Sequence, residues 1–517
     1  MGGKTPTRWF AILVVTALFS APAFAATAIS PSAAKWSIGG YIEGYRIVEV
    51  DHATPRQRPA ATLDLNLRAE IAPQLRFFLD TRTMAGGTLE HADGFGVFNL
   101  SDAFQNISPS LEIEEGYFDI LMADFDVRIG KQRFAWGRLD LFRPTDVLNP
   151  RRFNDPFVSE DEDAKIGIPA VKLAYYVPAS LLADTSVTLA WVPVPIPFRF
   201  PLQEERWFPA FASVPDAVVI PKDFFGLDSG STIVPRLHTE NAPPPQQLDE
   251  GALALRVAGA VRGAEWSLSY YDGPETAPAF GFSTSVYSPS AQEKIRNGQR
   301  PTIPGGDLKE LLADATLRPL ANRMRLVGGD LALPWGGFTT RFEAAFGFGR
   351  MLPRSTESLL SLDNIHDKVA PVIFDVVDTI LAGDSATLDL GDLFVERDRF
   401  EWGAGVDYVI DGWVPLLQVN QAIVTNNDGT ELLVSDTDTR ILLALRKLLM
   451  GDRFKIDLVA FQGIERSYST ALARFSFAIT DRLRARFGYV LIAGTRQSVV
   501  GQYQDLDEAF FQVRYSF

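Results

Sequence analysis

The chain has 517 residues, 49 Lys and Arg against 64 Asp and Glu, a formal charge of −15 and no cysteine. The missing thiols exclude a disulfide scaffold, a thiolate metal site and a lipid-modified N-terminal cysteine, and the acidic balance argues against non-specific nucleic-acid binding. No apolar run reaches the roughly 18–20 residues of a membrane-spanning helix, so the sequence fits either a globular protein or a strand-built barrel whose apolar residues are diluted by alternation.

The N-terminus carries an export signal. Lys4 and Arg8 precede an apolar stretch from Phe10 to Phe19, and Ala23-Phe24-Ala25 supplies a small-x-small cleavage site. Residues 1–25 are therefore expected to be removed and 26–517 to form one mature domain of charge about −17.

From there the apolar period is two. Leu63, Leu65, Leu67, Ala69 and Ile71 alternate with Asp64, Asn66, Arg68 and Glu70, and Leu75, Phe77 and Leu79 alternate with Arg76, Phe78 and Asp80. The pattern recurs over 171–177, 187–191, 338–348, 400–410, 454–462 and 483–491. Alternate side chains of a strand face opposite sides, so each segment has one apolar and one polar face. The connections separate a membrane barrel from a soluble sandwich. Very short turns at 72–74, 122–124, 261–263, 334–336, 411–412, 450–452 and 480–482, with a longer one near 179–185, alternate with long connections at 84–110, 134–168, 195–249, 273–322, 349–398 and 494–507. Outer-membrane barrels show this asymmetry, with tight periplasmic turns and long outer loops. The expected fold is all-β: a transmembrane antiparallel up-and-down β-barrel of about 18 strands, with short helices in its long outer loops.

Apolar positions should then face lipid and polar ones the lumen. That assignment makes Arg68, Arg76, Asp80, Arg341, Glu343, Glu401, Asp407, Arg484, Arg486 and Arg514 candidate pore-lining residues, with Asp64, Glu70, Lys455, Asp457, Arg482, Glu508 and Gln512 among their neighbours. Such ladders set solute preference in some pores. Mixed signs also describe a wall of mutually paired charges, and both readings stand. Trp266, Trp402 and Trp413 are expected interface anchors.

Three loop features stand out. Residues 193–245 are rich in Pro and aromatic groups (Phe198, Phe200, Trp207, Phe208, Phe211, Phe224, Phe225), which should pack together, dip into the lumen or meet an apolar ligand. Within 355–382, Leu362, Ile365, Val369, Val372, Ile373, Val376 and Ile380 fall at helical spacing with a kink expected at Pro371, and a second helical piece is expected over 307–317. These helices would plug or cap the channel. The third is Arg128-Ile-Gly-Lys131-Gln-Arg133-Phe-Ala-Trp136-Gly137, followed by Pro144-Thr-Asp146-Val-Leu-Asn-Pro150.

This last segment resembles one shared by a broad group of poorly characterised Gram-negative outer-membrane barrels, in which a G-[K/R]-Q-x-x-x-W-G strand end leads into a loop carrying P-x-D and a second Pro. The close match covers about 25 residues. The resemblance implies a transport channel, with some members suspected of handling hydrophobic molecules beside an inner-membrane exporter. It also suggests a loop folded inward, with Trp136 and Gly137 at its bend. Arg128, Lys131, Arg133, Trp136, Arg138 and Asp146 are the candidate constriction residues.

The closing strand places Phe511, Val513, Tyr515 and Phe517 on one face up to the last residue. It resembles the terminal signal read by the bacterial barrel-assembly machinery, so that machinery and outer-membrane lipids are the expected partners. The four histidines, His52, His91, His238 and His366, fall on no expected strand, which argues against a hydrolytic site. The acidic run 160–163 lacks the spaced ligands and central Gly of a calcium loop. No cofactor, metal or covalent chemistry is expected. The expected function is a loop-narrowed channel for a small solute. A conduit for apolar molecules and a sealed structural or adhesion barrel are the alternatives.

Overall fold

The computed structural model describes residues 35–50, 57–86, 110–152, 156, 164–178, 184–196, 206–208, 216–222, 231–239, 251–277, 279–301, 309–320, 322–354, 360–427, 432–496 and 498–517. The expected signal, the acidic run 160–163, His52, His91, Phe198, Phe200, Phe211, Phe224 and Phe225 lie outside the described residues.

In chain order the strands are β1 (Lys35–Glu49), β2 (Gln57–Ala72), β3 (Leu75–Gly86), β4 (Ser110–Leu121), β5 (Phe125–Gln132), β6 (Ile168–Tyr176), β7 (Thr185–Val192), β8 (Val218–Ile220), β9 (Ser231–Thr239), β10 (Ala252–Val261), β11 (Ala264–Pro274) and β12 (Phe280–Tyr287). They continue with β13 (Glu310–Pro319), β14 (Arg323–Trp335), β15 (Phe338–Pro353), β16 (Ala386–Leu388), β17 (Phe394–Tyr408), β18 (Trp413–Val424), β19 (Thr437–Leu449), β20 (Phe454–Gly463), β21 (Tyr468–Ala478), β22 (Leu483–Gly494) and β23 (Glu508–Ser516).

Eighteen of them form one antiparallel sheet in which β1 pairs with both β2 and β23, so the sheet closes into a barrel. Phe517 completes the seam: its N–H donates to the Gly40 carbonyl (3.0 Å) and its carbonyl accepts from Gly40 N–H (3.2 Å). Closure leaves no unpaired sheet edge, which a hydrocarbon surround requires. The outward set is apolar and exposed on strand after strand, as at Leu255, Leu268, Val327, Phe342, Leu417, Leu443, Leu458, Phe487 and Phe511. The inward set is polar over much of the wall, as the register Asp330–Glu343 between β14 and β15 illustrates.

Local chemistry makes the short turns at one end, the turn end. Arg262-Gly263 and Asp411-Gly412 each place two consecutive residues at positive φ (52° and 84°, 46° and 75°), as a type I′ hairpin needs. Aromatic residues gather at this end: Trp335 stacks on Phe338 (4.8 Å), which meets Tyr408 (4.2 Å), and Lys447 lies 4.7 Å over Trp413. Trp402 sits higher, where its indole donates to Gln421 (3.2 Å) and the outer surface turns polar through Thr439. The apolar belt lies between these levels.

The five strands absent from the barrel build a second sheet at the outer end, in the order β16-β12-β13-β9-β8, with β13 and β9 parallel. Helices Leu362–Val369 and Ile373–Leu381, joined by a 3₁₀ turn through Pro371, lay Ile365, Val369, Ile373, Val377 and Ile380 on its apolar face. Three separate long connections thus fold as one cap. The kink at Pro371 agrees with the sequence reading; the helix expected over 307–317 does not form. Leu311, Ala313, Ala315 and Leu317 are buried at every second position, and strand pairing with β12 and β9 uses that period. A helix occurs instead at Pro289–Arg296, where Ser288 accepts from Ala291 N–H (3.1 Å) and Pro289 takes the first turn.

Candidate functional site

The segment after β5 does not stay at the rim. It turns inward and crosses the barrel, and the cause can be followed residue by residue. Phe134, Trp136, Val147 and Leu148 are buried against Ile168, Ala190, Ala254 and Met324 of the inner wall. Small inward residues on β6, β7 and β10 make room for them. Asn149 knits the loop to its own root: its Oδ1 accepts from Phe134 N–H (2.7 Å) and its Nδ2 donates to the Ile166 carbonyl (2.8 Å). Lys165 is buried and bonds both Asp146 (2.9 Å) and the Phe134 carbonyl (3.1 Å).

The bend closes over a single carboxylate. Glu343 of β15 accepts from the backbone N–H groups of Arg138 (2.9 Å), Leu139 (3.3 Å) and Thr145 (2.7 Å) and from the Thr145 hydroxyl (2.7 Å). Gly137 has φ +80°, and a Cβ there would lie 2.6 Å from Glu343 Oε1, so only glycine lets the backbone approach. Arg138 reaches past the bend to Asp330 (2.6 Å) and Glu265. Beyond it, Asp140 N–H donates to Gln418 Oε1 (2.9 Å), and Asn420 Nδ2 donates to the Phe142 carbonyl (3.1 Å). The Phe142 ring meets Phe461 edge-on (5.6 Å), with the Arg440 guanidinium 4.9 Å over its face. The loop therefore runs from the β5–β6 wall to β15, β17, β18, β19 and β20. Glu343 stands five residues above Phe338; at about 3.4 Å per residue and a tilt of about 40°, this is roughly 13 Å up, midway through an apolar belt of about 25 Å.

A polar cavity of about 210 Å³ opens beside the loop, lined by Phe142, Arg143, Asp146, Glu401, Asp438 and Arg440 among others. Glu401 is bonded by Arg350 (3.3 Å) and lies 3.7 Å from Arg399, and Arg440 pairs with Asp438. Near the root of the loop, a bulge between β3 and β4 turns both Glu114 and Glu115 inward. Glu114 meets Arg133, Arg152 (2.7 Å) and Arg82 (3.8 Å), while Glu115 accepts from Arg133 N–H (2.8 Å).

The candidate pore-lining residues occupy the inward set, in differing circumstances. Arg68, Arg76 and Asp80 stand on β2 and β3 opposite Phe78, Glu70 and Asn66 respectively. Arg341 pairs with Asp407 and lies 3.6 Å from Asp140. Arg514 meets Glu43 (2.7 Å), Arg486 donates to Gln512 (3.2 Å), and Arg484 is exposed. Glu343 is buried beneath the loop. Among the candidate constriction residues, Arg128 is on β5 near the turn end, bonded twice to Asp119 (2.6 and 2.9 Å) and 3.9 Å over the Tyr117 ring. Lys131 is buried against Glu112 (3.4 Å), Trp136 is in the core behind the loop, and Asp146 is held by Lys165. The sequence reading assigned no role to Asn149, although it lies within the segment 144–150, nor to Lys165, Gln418 and Asn420, because neither an amide nor a lone lysine signals which distant segment it will hold.

A second segment also turns inward. Arg206 lies between Glu49 of β1 (3.4 Å) and Glu508 of β23 (3.5 Å), carboxylates directly opposite in register across the closing seam. Trp207 is fully buried beside it against Tyr503 (5.4 Å), Val490, Ile492 and Phe510. His238 and His366 are exposed on the cap, and among the described residues no group of three or more His, Asp and Glu is placed to hold a metal.

No protein-family model matches the sequence, and no curated protein matches it either. Solved structures similar to it include OpdL of Pseudomonas aeruginosa, 10% identical, aligned over 93% of this chain and 99% of that one with a TM-score of 0.46. OccK8 (OprE) of the same organism is 8% identical over 93% and 98% of the two chains with a TM-score of 0.47. OmpF of Salmonella typhi is 9% identical over 95% and 99% with a TM-score of 0.38.

Proposed function

We propose that the chain is an outer-membrane channel that passes a small solute through a lumen narrowed by residues 133–152. The observation that carries this reading is a closed barrel with an apolar exterior whose inward loop crosses the interior at mid-height on hydrogen bonds to Glu343. A sealed structural barrel has no need of a crossing segment fixed at that height, whereas a constriction does. On this reading Arg138, Arg143 and Arg440 meet the solute. Arg341, Asp407, Arg484, Arg486 and Arg514 set the charge of the lower lumen, and Arg128, Lys131, Arg133, Trp136 and Asp146 hold the loop in place. The signal at 1–25 takes the chain out of the cytoplasm, and the strand ending at Phe517 presents it to the barrel-assembly machinery. No bond is made or broken in the solute.

Planar-bilayer recording tests the proposal. The purified protein should give stable current steps, and replacing Arg484 and Arg486 together by Ala should shift the reversal potential in a salt gradient toward cations. A silent protein favours a sealed barrel, and an unshifted potential removes those two arginines from the conducting path.

A further inference from the structure

The lower lumen has an unexpected wall. On β18 to β22 the inward residues of one register row are Leu416, Ala444, Val459, Leu472 and Val490, each the partner of the next. Because the strands are tilted, the row climbs from near the turn end at Leu416 toward the outer end at Val490. A row above, Phe461 extends the apolar surface to Phe142 of the inward loop. A water-filled lumen gives such a stripe nothing to pack against, and barrel interiors are ordinarily polar. Val490 is covered by Trp207, but Leu416, Ala444, Val459 and Phe461 keep part of their surface open.

The row immediately below has the opposite character. Asp457 is shared by Arg446 (2.8 Å), Lys455 (2.9 Å) and Arg474 (3.6 Å), three cations to one carboxylate. Arg446 is half exposed to the lumen and Lys455 a third. Inward residues two positions apart lie about 7 Å apart along a strand, so the row of Arg446, Asp457 and Arg474 and both apolar rows fall within about 14 Å. Lys455, rooted one row lower, reaches up to Asp457.

Resting on the channel reading, we infer that this sector is a two-part subsite for a small anionic amphiphile: the acidic head lies against Arg446 and Lys455 and the apolar body against Leu416, Val459 and Phe461. A cationic or zwitterionic amphiphile would put a positive charge into a row where cations already outnumber carboxylates. A fully polar anion would leave the apolar rows uncovered. Neither uses the wall as built.

The probe is sodium octanoate, with sodium acetate and octyltrimethylammonium as controls. Calorimetric titration of the protein in lipid nanodiscs, corrected with empty nanodiscs, reads binding; planar-bilayer current reads block. Octanoate should bind saturably and block, and the two controls should do neither. Arg446→Gln with Lys455→Gln, and separately Leu416→Gln with Val459→Thr, should each weaken octanoate binding about tenfold, while Lys455→Arg keeps it. Heat-modifiable gel migration verifies that each variant has folded. Steady current with octanoate uptake no greater than in empty nanodiscs, or binding unchanged in both double variants, overturns the subsite and leaves the channel reading standing. Saturable binding lost in both variants of a protein that carries no current keeps the subsite and removes the channel.

Discussion

Glu343 holds the inward loop because it is the one acceptor that three backbone N–H groups and a hydroxyl share. Glu343→Ala leaves those donors buried without a partner, and each unmet donor costs about 1–3 kcal/mol. The variant should lose about 3 kcal/mol or more in urea unfolding, with larger and noisier current steps as the loop leaves the wall. Gly137→Ala attacks the same bend from the other side: its φ of +80° and the 2.6 Å approach to the carboxylate should cost about 1–3 kcal/mol. Equal stability of this variant and the parent would show that the bend can relax. The sequence marked Gly137 and Trp136 through a motif and Glu343 as a pore-lining charge of an alternating strand, but not as the acceptor that holds the loop.

Among the elements, the seam between β1 and β23 depends on a segment from a distant connection. Glu49 and Glu508 face each other, both buried, with Arg206 between them and Arg58 also bonded to Glu49 (3.0 Å). Arg206→Ala leaves two buried carboxylates side by side, a change worth about 3–5 kcal/mol when one partner of a buried ion pair is removed. Urea unfolding in lipid vesicles should detect it, and adding Glu508→Gln should restore part of the loss. No recovery in the double variant would mean that Arg206 acts through packing on Trp207 instead. The strands were legible because alternation is a local property, and so were the turns, since Asp411-Gly412 and the glycine of Arg262-Gly263 carry a preference for positive φ with them. The strand at 310–319 was misread as a helix because Leu311, Leu312, Ala313 and Ala315 suit either period; pairing with β9 and β12 chose between them.

For the molecule as a whole, the cap helices and the sheet face beneath them share one apolar core. A second cluster, with Phe280 and Leu317 against Phe394 and Met351, ties the cap sheet to the barrel, so the helix layer should fail by itself. Ile373→Asp puts a charge into the contact between the cap helices and their sheet, which carries little of the barrel's stability. Trypsin should then cut within 349–398 while the barrel keeps its heat-modifiable migration on gels. Joint loss of both would show that the cap is required for barrel assembly.

The apolar alternation, the unequal connections and the aromatic end at Phe517 were enough to give a closed barrel of about 18 strands. Each follows from neighbours in the chain, and lipid on one side leaves alternating strands few other solutions. Three long connections meeting in one sheet, Glu343 receiving a loop some two hundred residues earlier in the chain, and apolar residues of five strands aligning into one lumen wall depend on register around the closed ring. Register is a relation between distant segments, and only closure of the sheet sets it.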